Sequence, residues 1–270
     1  MSDIWVKSLS EKYFEQTRKL DLFDCGIWLG APEGFPLAVE KEFEELKKEM
    51  KDFYIKGGLF SHWRGKTLSA QEGNRILEKK SVHFTENMYG IWTGLPLYPE
   101  PVASGPIPGI GRPNSSMRGV RIFPASHNFI IEEWVIGTLC EWLIKHNLPL
   151  FVMHTEISWE SLYKLAGRYP ELTIVLETQT KKILYHTRVL LPLMLECQNI
   201  MVETSNFAGQ GYIEYAVKEF GAGRLLFGSF MPVNDPFVPI GMIIDSDIGE
   251  QEKLMIASGN IKKIIERVRF

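Results

Sequence analysis

The chain has 270 residues, 45% hydrophobic and 23% charged, with 30 basic against 33 acidic side chains and a net charge of −3. These are the proportions of a globular protein that can bury a sizeable core. Evenly mixed charge argues against a nucleic-acid partner, and no apolar run approaches the roughly 18 residues of a membrane span. The three cysteines, Cys25, Cys140 and Cys197, are widely spaced and form no CxxC motif. That usage, with no apolar signal core near the N-terminus, points to reduced thiols in a cytoplasm.

Residues 1–20 are polar and amphipathic and predict a short helix outside the main body, which runs from 21 to 270. Residues 22–28 have an apolar strand pattern, stopped by Gly30, Pro32 and Gly34. Val39, Phe43, Leu46, Met50 and Phe53 then recur at spacings of 4, 3, 4 and 3, one apolar stripe on a helix. Gly57 and Gly58 end it, and a second strand starts at Leu59. Residues 69–79 read as a helix weakened by Gly73, and 88–95 as a third strand. From Pro96 to Pro113 come six prolines and three glycines. Proline lacks the donor that helices and ladders need, so this stretch is irregular, either a covering segment or an active-site lid.

From Gly119 the alternation returns. Strands are expected at 119–123, 149–154, 173–177, Ile200–Glu203 and 224–227. Helices are expected at 131–146, from Ser158 as cap to Tyr169, at 183–195 around Pro192, and at Tyr212–Phe220. The first of these is expected to bury Trp134, Leu139 and Leu143. Helices at Phe237–Ile244 and 249–258 follow, with Gly259 and Asn260 turning into a last one at 261–268. Eight short apolar strands alternating with helices predict parallel pairing, right-handed crossovers and a single-domain α/β fold, the (β/α)8 barrel. No GxGxxG or P-loop follows any strand, so an open nucleotide-binding sheet lacks its motif.

Several phrases carry a resemblance. They are Gly-Val-Arg-Ile-Phe-Pro around Arg121, Pro-Leu-Phe-Val-Met-His ending at His154, Tyr-Pro-Glu-Leu-Thr-Ile-Val-Leu from Tyr169, residues 199–205, and Phe-Gly-Ala-Gly-Arg-Leu-Leu-Phe-Gly-Ser-Phe-Met-Pro from Phe220. Together they resemble the amidohydrolase-related family, the amidohydrolase 2 type of metal-dependent TIM-barrel hydrolase. Gln251-Glu252-Lys253, Ile256, Asn260 and Ile264 are similar to that family's closing helix. The resemblance covers most of residues 20–266. It implies a metal site made of Asp-x-His-x-His on the first strand, a His on the fifth, a His on the sixth, and an Asp after Gly-Ser on the eighth. Such an ion lowers the pKa of a bound water and makes a hydroxide nucleophile.

This chain departs at most of those positions. Asp24 keeps the leading Asp, but Gly26 and Trp28 stand where the two histidines would be. His154 is retained on strand five, Glu177 replaces the His of strand six, and Phe230 replaces the final Asp. The usual metal site is therefore expected to be absent, with no cofactor. The alternative is a divalent metal at a rebuilt site that includes His154. The family also contains members that work without a metal and members that decarboxylate.

The strand ends then offer a second reading. His154 with Glu177 forms a candidate acid/base pair, because neighbouring buried carboxylates raise each other's pKa and imidazole titrates near neutrality. Arg121 is a candidate clamp for a substrate carboxylate. Trp28 and Phe230 are expected as the pocket wall, with Asp24 and Glu203 as further substrate-binding groups. Glu177 and Glu203 have a plainer role open to them, pairing with Arg121 or backbone donors inside the barrel. His62 and Arg64 read as a solvated strand end, and Asp235 as a helix cap. The functional expectation is an amidohydrolase-like hydrolase or carboxy-lyase acting on a small carboxylated or cyclic metabolite. The alternative is a non-catalytic relative that binds a metabolite or partner; a homo-oligomer fits either. Catalysis needs a pocket with carboxylates facing His154, and a barrel mouth closed to solvent argues against it.

Overall fold

The computed structural model describes residues 2–32, 34, 40–96, 115–181 and 183–270, with the side chains of 2–5 and 184 outside that description. Val39 and all but the first residue of the Pro-rich stretch 96–113, read as a cover or a lid, lie outside the described residues. In chain order the elements are α1 (Ser2–Lys19), β1 (Phe23–Leu29), α2 (Phe43–Asp52), β2 (Gly57–His62), α3 (Arg64–Thr67), α4 (Ala70–Ser81), β3 (Met88–Thr93) and β4 (Met117–Ile122). They continue with α5 (Glu133–His146), β5 (Leu150–Met153), α6 (Trp159–Arg168), β6 (Ile174–Glu177), α7 (Thr187–Glu196), β7 (Ile200–Glu203), α8 (Tyr212–Phe220), β8 (Leu225–Leu226), α9 (Phe237–Ile244), α10 (Glu250–Leu254) and α11 (Asn260–Ile265).

The strands pair in parallel in the order β1 to β8, which makes the chain a single-domain TIM barrel. The seam is closed by Cys25 N–H donating to the Phe227 carbonyl at 3.1 Å and Trp28 N–H to the Met231 carbonyl at 2.9 Å. Buried strands alternate between two apolar environments. Ile174 and Leu176 of β6 face the helices, as do Val120 and Ile122 of β4 and Leu150 and Val152 of β5. The residues between them face the barrel axis, where Phe23, Leu59, Phe151, Val175 and Leu226 meet Ile261 and Ile265 of α11, which plug the N-terminal end. The same alternation, carried one step further, turns Arg121, Glu177 and Glu203 into the barrel.

Three local expectations are corrected. Trp134 is 81% exposed, while Ile136, Cys140 and Leu143 are buried. They lie on one helical face, and a residue two before Ile136 falls on the far side of a helix of 3.6 residues per turn. Gly259 and Asn260 do not turn the chain. A π-helical turn over Met255–Gly259 joins α10 to α11 without a break, and the Asn260 amide donates to the Ala222 and Leu225 carbonyls, both at 2.8 Å. Strand 224–227 shortens to two residues because Arg224 belongs to a 3-10 turn. Gly73 does not break its helix: a Cβ there would sit 2.2 Å from the Gly65 nitrogen, so the glycine lets α3 and α4 touch. Ser158 caps α6 as expected, accepting from Ser161 N–H at 3.1 Å.

Candidate functional site

Side chains at the C-terminal ends of the strands, where this fold carries its chemistry, form two layers. The lower layer is polar. Arg121 donates to Glu177 in bidentate fashion, Nε to Oε2 at 2.8 Å and Nη2 to Oε1 at 2.5 Å. Its Nη1 donates to Ser61 Oγ, and its guanidinium lies 4.3 Å from the Trp28 ring centroid. Glu177 Oε1 also accepts from Gln179 Nε2 at 3.1 Å, and Gln179 Oε1 accepts from Trp28 Nε1 at 2.7 Å.

The two other carboxyls satisfy themselves locally. Asp24 Oδ1 accepts from the Gly26 and Ser229 amides at 2.8 and 3.0 Å, and Oδ2 from the Ser229 hydroxyl. It thereby pins β1 to the turn after β8. Glu203 accepts from Ser205 N–H at 2.5 Å, from Ser205 Oγ at 3.0 Å and from Thr178 N–H at 3.2 Å. Glycine at 228 is what allows this, since a Cβ there would lie 2.3 Å from Glu203 Oε1.

The upper layer is aromatic. Trp28 stacks on Trp63 at 4.3 Å and 27°, and Phe123, Met153 and Phe230 complete one buried cluster with them. Each of the five is at most 1% exposed, and so are Arg121, Glu177, Glu203 and Asp24 beneath. Burial governs the protonation equilibria. It pushes the Asp24 carboxyl up to about 6, against the pull of its three donors. It raises Glu177 above the ordinary carboxylate range, with Arg121 pulling the other way. Glu203 is pushed up to about 8, first by burial and then by the Glu177 charge, so it holds a proton at neutrality.

His154 is the one expected site residue with solvent access, at 8% exposure. Its Nδ1 donates to the Glu177 backbone carbonyl at 3.2 Å, which leaves Nε2 as the free nitrogen. The structure does not bring the Glu177 carboxylate onto the His154 imidazole; the carboxylate turns down to Arg121 instead. Burial lowers the His154 pKa, so the ring is neutral near pH 7. Its nearest ring neighbour is His186, 6.0 Å away between centroids.

Ser61, Lys66 and Ser126 were not singled out from the sequence, whereas Gln179 and Glu156 were read at strand ends without a role. Ser61 shares the inward parity of Leu59, a signal that strand periodicity does carry. Gln179 occupies the space a side chain at position 26 would need: a Cβ on Gly26 would lie 2.7 Å from Gln179 Nε2. At the rim, Lys66 donates to Glu156 and Ser126, and Glu156 accepts from Ser126 N–H at 2.8 Å. No sequence spacing links those three. Of the remaining candidates, His62 is partly buried and pushed down to about 4, by burial first and then by Arg64 and Lys80. Asp235 accepts from Phe237 N–H at 2.9 Å at the start of α9. Among the described residues, no three of His, Cys, Asp and Glu converge in a way that could hold a metal ion.

Fold, inward polar residues and strand-end layers define a TIM barrel with its polar groups gathered at the C-terminal ends of the strands. The amidohydrolase family model matches residues 114–267, more than half of the chain, and the chain belongs to that family. No curated protein matches it. Among solved structures it is similar to 5-carboxyvanillate decarboxylase from Novosphingobium aromaticivorans, complexed with manganese and 4-hydroxy-3-methoxy-5-nitrobenzoic acid, at TM-score 0.70 and 13% identity over 92% of this chain and 97% of that one. It is similar also to a dihydroxybenzoic acid decarboxylase from Polaromonas with bound manganese and 2-nitroresorcinol, at 0.68 and 13% over 92% and 99%. Amidohydrolase 2 from Bifidobacterium longum subsp. infantis aligns at 0.66 and 17% over 92% and 99%. At these identities the likeness speaks for the fold. No helix among the described residues is long and apolar enough to cross a membrane.

Proposed function

We propose that the chain is a non-catalytic member of the amidohydrolase family, a barrel that binds a small metabolite or partner and does not run metal-assisted hydrolysis or decarboxylation. One observation carries this reading: the fork of Arg121, the group suited to gripping a substrate carboxylate, is filled by Glu177 and roofed by Trp28. Arginine recognises carboxylates by this bidentate geometry, and here the ligand is the chain's own side chain. The rim repeats the pattern, with Lys66 held by Glu156. A divalent metal does not fit the residues present. The space beside Gly26 is taken by Gln179, Trp28 and Phe230 offer apolar rings, and the Glu177 oxygens face a guanidinium. The buried free thiols Cys25, Cys140 and Cys197 support a cytoplasmic setting.

A second reading has one observation in its favour. His154 keeps a free Nε2 and a neutral ring near pH 7, as a general base on a small carboxylated or cyclic metabolite requires. The family's decarboxylases and hydrolases set the substrates to try. Purified chain should release no carbon dioxide from a panel of hydroxybenzoates, and should hydrolyse no cyclic amide, with or without added manganese. Turnover that His154→Ala reduces tenfold or more would overturn the proposal in favour of the catalytic reading.

A further inference from the structure

We propose that Arg121 is the resident cation of the barrel end, a guanidinium built into the chain where a barrel of this family would recruit a metal ion, and that it keeps divalent metals out. The inference rests on the misfit of a metal described above and extends it by naming what takes the metal's place.

The polar layer holds three carboxyl groups, Asp24, Glu177 and Glu203, with the Cys25 thiol beside them. Rows of apolar side chains lie below, and the aromatic cluster lies above. A carboxylate taken out of water needs an opposite charge or several donors. Asp24 uses donors from backbone and serine, and Glu203, which keeps its proton at neutrality, needs no counter-ion. Glu177 alone has a cation, and Arg121 presents three of its nitrogens to fixed acceptors while Trp28 and Phe151 flank its plane, with ring centroids at 4.3 and 5.7 Å. A guanidinium pinned on every side cannot swing away as a lysine would. A metal ion at Glu177 would have to take the two oxygens that already accept from Arg121, and would place a second cation against the first in a buried layer of low dielectric. Strand four therefore supplies by covalent attachment what the family's ligand set supplies by coordination.

The test uses the full chain and reads unfolding temperature and metal uptake. After dialysis against a chelator, wild type should keep its unfolding temperature, and millimolar manganese or zinc should neither raise it nor give stoichiometric heat in calorimetry. Arg121→Met leaves Glu177 buried without its cation and should lower the unfolding temperature by ten degrees or more, or prevent folding. The paired variant Arg121→Met/Glu177→Gln removes both charges and should fold and recover at least half of that loss. Stoichiometric manganese or zinc binding by wild type overturns the proposal. So does an Arg121→Met chain as stable as wild type, or a paired variant no better than the single one. These outcomes are separate from the turnover test: an active chain could still exclude metal, and an inactive one could still bind it.

Discussion

Glu203 shows most directly how burial decides chemistry at a single residue. Folded, it holds its proton up to about pH 8; unfolded, it releases it near the ordinary carboxylate value. The unfolded chain then binds fewer protons, so stability falls as pH rises through that window. His62, His127 and His154 work in the opposite sense, because burial lowers each of them and their contribution is lost as pH falls below about 6.5. Between about pH 6.5 and 8, Glu177, also raised by burial, acts in the same sense as Glu203. The unfolding temperature should decline across that interval, and Glu203→Gln should flatten the decline; a decline equally steep in the variant would assign it to another group. Phe230→Asp puts a carboxylate into the aromatic cluster without a cation beside it. Denaturant titration should show a loss of at least about 3 kcal/mol, and the variant should take up no zinc, because the ligands expected at positions 26 and 28 are still missing.

At the scale of elements, the polar residues that join segments count for more than their number suggests. Asn260 ties α11 to the turn before β8 by donating to two buried carbonyls. Asn260→Ala removes both bonds, although the Ala222 carbonyl still accepts from Leu225 N–H, and should cost about 1–2 kcal/mol in denaturant unfolding. Trp134 is the contrasting case. It is a large aromatic of α5 that lies almost wholly in solvent, so Trp134→Gln should change stability by no more than about 0.5 kcal/mol. In α5 the burial of Leu139 and Leu143 was legible from the sequence; the side on which Trp134 falls was not, since a helix end can bury either flank.

For the whole molecule, the sequence determined the fold. Eight apolar strands of alternating parity, separated by amphipathic helices, leave few arrangements other than a closed parallel barrel, because each strand must bury both faces. α1 is the element least bound to that logic: it docks on α9 through Tyr13, stacked 4.1 Å over Phe237. A chain lacking residues 1–12 should still unfold in one transition, within a few degrees of the intact chain by circular dichroism. The sequence also placed Arg121, Glu177, Glu203 and His154 at strand ends, since parity alone turns them inward or to the rim. What it left open was how they pair. The contacts from Arg121 to Glu177 and from Gln179 to Trp28 span 56 and 151 residues, and no local pattern records a separation of that size. Glu177 could serve as an acid/base partner of His154 or as a counter-ion of Arg121, and sequence alone does not choose between them. Only the packed barrel decided it, because a buried carboxylate goes to the cation that neutralises it.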